Sequence, residues 1–118
     1  MSKNTLQTLV EMLLTQREVN FSGDTNRMNI LNQKCAACVQ ELFINEGSLV
    51  SLLPLLSHES IEVRVFTAAA LLASHEEQAQ KVLEECSLSE EKSLAPVEAQ
   101  MILLQLKQGT YNKNWWKK

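Results

Sequence analysis

Cys35-Ala36-Ala37-Cys38 has the C-x-x-C spacing on which thiol–disulfide exchange and zinc binding are both built. Redox versions place the first cysteine at a helix N-terminus that follows a strand, where the dipole lowers the thiol pKa. Here the pair falls inside a helical stripe, on the face that also carries Leu31 and Leu42. The spacing therefore predicts small core residues packed against a neighbouring helix. Zinc requires two further ligands, and the positions of His58, His75 and Cys86 do not recruit them. The two histidines precede Glu59 and Glu76 at helix starts, where a histidine is a solvated turn residue. Neither has a nucleophile or a cleft signalled beside it. The three glycines are isolated, so no phosphate-cradling loop is present. No catalytic residue, cofactor site or metal site is expected, and the chain does not read as an enzyme.

The charged residues point elsewhere. Seven of the fourteen acids lie between Glu76 and Glu98, against Lys81 and Lys92. Glu76-Glu77, Glu84-Glu85 and Glu90-Glu91 are sequence neighbours, and neighbours on a helix point in different directions. They do not converge as a catalytic carboxylate pair does. They suit a solvated face or a docking surface for a cationic protein. An acidic middle opposes nucleic acid as the ligand, because phosphates need a basic footprint. Trp115-Trp116 stands out in a chain with six aromatics. The rings either pack back on the domain or meet a partner. Lys113, Lys117 and Lys118 surround them, but two rings are a weak membrane anchor. The candidate partner contacts are thus Glu76, Glu77, Glu84, Glu85, Glu90 and Glu91, with Trp115 and Trp116 as secondary ones.

These residues must be positioned by helices. Glycine (3) and proline (2) are scarce in 118 residues, hydrophobic residues make up 45%, and helix formers are common. Leu6, Leu9, Val10 and Leu13 predict a first helix over residues 4 to 19. Asp24 or Thr25 can cap a second helix over 24 to 46, with Met28, Leu31, Cys35, Cys38, Val39, Leu42 and Phe43 inward and Gly47 as its stop. A third starts at Ser48 and is shortened or kinked by Pro54. The fourth, over 59 to 73, carries Val63-Arg64 and Ala68-Ala69-Ala70. Small residues there let helix backbones approach closely, and Arg64 is expected to bond the turn or the adjacent repeat. Ser74 to Glu77 has the spacing of a capping box for a fifth helix that buries Ala79, Val82, Leu83 and Cys86. Pro96 opens a sixth, with Ala95, Ala99, Ile102 and Leu106 inward and Gly109 at its end.

The expected fold is all-α: a HEAT-like right-handed superhelix of six helices in three hairpins. Residues 1–109 form one domain and 110–118 a polar and aromatic tail. No secretory segment and no run of about 18 apolar residues is visible, and three cysteines read as reduced thiols. The expectation is a cytoplasmic protein, monomeric when free.

From Asn26 to Gly109 the sequence resembles a bacterial family of small HEAT-like proteins. The resemblance is carried by Asn26-Arg27, the leucines from Leu52 to Leu56, Val63-Arg64 to Leu72, Ala79 to Glu84, and Ala99 to Gly109. Members of that family look like immunity proteins of polymorphic toxin and contact-dependent growth inhibition systems. The resemblance implies a protein that binds and blocks a toxin's nuclease domain, here a basic partner for the acidic window. The alternative is a generic HEAT-like regulatory or scaffold module.

Overall fold

The computed structural model describes residues 7–15, 25–92 and 94–116, and the side chains of all of these but 25–29 and 31. Asp24, and the ends of the first predicted helix, lie outside that set. Among the described residues there are six helical segments and no strand, as the sequence predicts. They are α1 (7–15), α2 (Thr25–Glu46), a 3-10 helix (Val50–Ser57), α3 (Ile61–Leu71), α4 (Glu76–Ser87) and α5 (Ala95–Gln108).

Each boundary has a local cause. Gly47 and Gly109 stop α2 and α5 with φ of +74° and +76°, the left-handed conformation that glycine adopts without strain. At Gly109 the ending is a Schellman motif. Gly109 N–H donates to the Leu106 carbonyl at 3.2 Å and Thr110 N–H to the Gln105 carbonyl at 2.9 Å. Pro54 lacks the N–H an α-helix needs and its ring would clash with the preceding turn. The apolar segment around it winds as a 3-10 helix, which buries Leu52 and Leu55.

The capping box is not formed. Leu71 O accepts from both Ser74 N–H (3.1 Å) and His75 N–H (2.7 Å), so the chain turns one residue later than the box requires. His75 becomes the N-cap residue, and the Ser74 hydroxyl lies 2.9 Å from its Nδ1. Glu76 and Glu77 still sit in the first turn of α4, where the helix dipole favours them.

Helix α3 is the centre of the stack. It packs against the 3-10 helix, α4 and α5, and α4 packs in turn against α5. Its alanines explain the density: Ala68 and Ala70 are fully enclosed, and without long side chains they let neighbours approach the backbone. Leu9 and Leu13 of α1, Cys35, Val39 and Leu42 of α2, and Ala79 and Leu83 of α4 close the same core. Val82, Ile102 and Leu106 are half-buried at its edge.

The segment after Gly109 belongs to this core as well. Asn112 makes a turn, accepting Asn114 N–H at its side-chain oxygen (3.0 Å) and Trp115 N–H at its carbonyl (3.2 Å). That turn delivers both tryptophans to the C-terminal end of α3. Their indole N–H groups donate to Ala69 O (3.2 Å, from Trp115) and Ala70 O (3.1 Å, from Trp116). Those carbonyls are among the last four of α3, which have no partner within the helix. Trp116 also packs against Phe43 of α2, the rings 5.3 Å apart and tilted by 59°, and the Gln40 amide donates to its carbonyl oxygen. The C-terminal segment therefore ties α2 to α3.

Candidate functional site

Helix α4 directs Glu76 and Glu84 to one groove and Glu85 to another, a consequence of 3.6 residues per turn. One groove, of about 540 Å³, runs between α4 and α5. It takes Glu76 and Glu84 together with Lys107 and Lys113. The other, of about 400 Å³, lies between α4 and the 3-10 helix and takes Glu85 with Arg64 and Lys81. Both grooves mix the two signs. The acidic window is thus not one acidic surface.

Two of the six glutamates are also engaged within the chain. Lys113 Nζ donates to both oxygens of Glu76, at 2.9 and 3.0 Å. Arg64 reaches Glu91 in the loop after α4 at 3.9 Å, which is the inter-element role expected for it. Both pairs are well solvated and contribute little to stability. Glu77, Glu84, Glu85 and Glu90 are exposed, and their carboxylates make no ion pair among the described residues.

Trp116 is withdrawn from the contact set. It is 3% exposed, hydrogen-bonded and packed against Phe43, so it has no surface to offer a partner. Trp115 is half-buried and meets Phe66 edge-on at 5.5 Å.

Cys35 and Cys86 are buried, and Cys38 is half-buried. Cys35 is fully enclosed, and burial, followed by the neighbouring Cys38, pushes its pKa up to about 12. Burial is also the main cause of the upward shifts at Cys38 and Cys86. None is poised as a nucleophile. Among the described residues, no three of His, Cys, Asp and Glu converge as a metal site. No described helix is long and apolar enough to cross a membrane.

Two features were not singled out in the sequence. The first is an apolar stripe on the outer face of α5. Val97, Met101 and Leu104 recur at helical spacing and are 50%, 55% and 55% exposed, opposite the buried Ala95 and Ala99. The residues were visible in the sequence, but α5 is apolar on both sides and periodicity alone cannot say which side is covered.

The second is an open-mouthed cavity of about 180 Å³ lined by α2, α3, α5 and the C-terminal segment. Glu62 and Glu98 both line it, with Phe66, Tyr111 and Trp115. Glu62 is 6% exposed. Its Oε1 accepts from the Ser60 hydroxyl at 3.3 Å, and its Oε2 has no hydrogen-bond partner. Glu98 is exposed along its outer side, but desolvation of its carboxyl group first, and the charge of Glu62 second, raise its pKa from the ordinary value. Burial lifts the Tyr111 phenol to about 12, so it stays protonated and neutral.

No protein-family model matches the chain, and no curated protein matches it. The fold has a counterpart among solved structures. The crystal structure of the protein RPA1889 from Rhodopseudomonas palustris CGA009 superposes with a TM-score of 0.84 at 24% identity. The match covers 95% of this chain and 93% of that one. At that identity the likeness establishes a shared all-helical fold.

Proposed function

We propose that this chain is a non-catalytic protein-binding protein of the bacterial cytoplasm. In its most concrete form it is an immunity protein that occludes the nuclease domain of a contact-dependent growth inhibition toxin. The observation that carries the binding role is the outward stripe of Val97, Met101 and Leu104. Apolar side chains aligned on one exposed helix face mark an interaction surface. Glu77, Glu84, Glu85 and Glu90, exposed on α4 and in the loop after it, supply charge that suits a basic partner. The immunity role itself is supported by the family resemblance of residues 26–109.

The test is co-expression with the variable C-terminal domain of a large secreted protein encoded beside this gene. Growth protection and a complex that co-elutes on gel filtration are expected. Val97→Asp with Met101→Asp should abolish both while leaving the thermal melt in place. A stable complex with a housekeeping protein, and no protection from the toxin domain, would favour the scaffold reading instead.

A further inference from the structure

We propose that the Glu62–Glu98 cavity binds an organic monocation: a guanidinium or primary ammonium group of the kind that ends an arginine or lysine side chain.

Charge balance separates this cavity from the grooves of α4. Those grooves carry Arg64 and Lys81, or Lys107 and Lys113, beside their glutamates. The cavity has two carboxyl groups and no basic residue among its described lining. A nearly enclosed carboxylate with an unpartnered oxygen is a costly arrangement. Glu62 Oε2 is such an oxygen. Fold stability alone would favour an apolar residue in its place on α3, as at Ile61, Val63 and Val65 on either side. A ligand that brings positive charge and N–H donors removes the cost.

The walls fix the type of cation. Phe66 and Trp115 meet at 5.5 Å and 82°, and the Trp115 indole is anchored on the Ala69 carbonyl. These are immobilised π systems, which attract weakly hydrated organic cations. Tyr111 adds a neutral hydroxyl that can accept a hydrogen bond. A hard metal ion instead wants six or more oxygen ligands. The volume, about 180 Å³, is below the roughly 300–1,000 Å³ of pockets that hold drug-sized ligands. It suits one functional group and part of its stem.

The experiment follows the Trp115 indole N–H resonance of the full chain during titration with ethylguanidinium chloride, against sodium chloride at equal ionic strength. A saturable shift with a millimolar dissociation constant is expected for ethylguanidinium alone. Glu62→Gln should weaken it by about tenfold or more, since a charge-assisted hydrogen bond becomes a neutral one. Glu98→Gln, on the exposed side of α5, should weaken it several-fold and guards against a folding defect in the first variant. A parallel titration uses the blocked peptide acetyl-Gly-Arg-Gly-amide. Tighter binding of the peptide assigns the cation to a protein side chain, and equal or weaker binding assigns it to a free small molecule. Linear shifts equal to those in sodium chloride overturn the proposal. So does saturable binding that both variants leave within twofold of the wild type.

Discussion

The indole nitrogen of Trp116 donates to the carbonyl oxygen of Ala70 at 3.1 Å, across 46 positions of sequence. This bond caps α3 with a side chain from the far end of the chain, and the adjacent Trp115 repeats it on Ala69. A small residue at position 70 leaves the carbonyl accessible, and Phe43 closes the other side of the ring. Trp116→Ala removes the ring, the bond and the aromatic contact together. It should destabilise the fold by about 3–5 kcal/mol, the usual cost of emptying an aromatic core site. Trp116→Phe keeps most of the volume and should cost less than half of that. Urea denaturation of both variants measures the difference. A loss under about 1 kcal/mol for Trp116→Ala would mean that the C-terminal segment is not part of the cooperative unit.

What the sequence reveals here follows the range of the interaction. Gly47 and Gly109 announce helix ends because φ above zero is a local requirement. The stripes of α2 and α4 are legible because one face is apolar and the other polar. Helix α3 is enclosed on most sides, so periodicity does not mark Glu62 as interior and its spacing looks like that of a first-turn acid. The indole–carbonyl bonds have no local signal: neither the helix nor the tail alone implies the other. The split of Glu76 and Glu84 from Glu85 is implicit in helical geometry, but the lysines that balance the first two come from α5 and the C-terminal segment.

Thr67 offers a test of the core itself. It is fully enclosed on α3, and its Oγ1 has no hydrogen-bond partner. An unmatched buried hydroxyl costs about 1–3 kcal/mol, whereas an apolar group of the same shape costs nothing comparable. Thr67→Val keeps the branched shape and should raise stability by about 1 kcal/mol, read as a higher denaturation midpoint at unchanged m-value. Destabilisation would show that the hydroxyl does find a partner in solution.

The three thiols should separate by access. Cys35 and Cys86 are buried and Cys38 is half-buried. All three have raised pKa values, with Cys35 at about 12. Thiolate is the reactive form. At pH 8 an aromatic disulfide reagent should label Cys38 slowly, and Cys35 and Cys86 at the rate of unfolding. Mass mapping of the labelled peptides assigns the order. Rapid labelling of Cys35 in the native protein would contradict the packing of α2 described above.

Glu98 makes stability depend on pH in a defined direction. Its pKa in the folded chain is raised above the ordinary 4.5, chiefly by burial and secondly by Glu62. The folded state therefore holds the proton more tightly than the unfolded state does. The resulting stabilisation is complete below pH 4.5 and is lost as pH rises through the higher folded value. Glutamine at this position is neutral at every pH. Glu98→Gln should be more stable than wild type at neutral pH, and the gap should close as pH falls through that window. Placing both chains in a Glu62→Gln background should narrow the gap without abolishing it, because burial is the larger cause. Denaturation midpoints of the four proteins from pH 4 to 8 give the answer. A gap independent of pH would mean that the Glu98 carboxyl is as well solvated in the fold as in the unfolded chain.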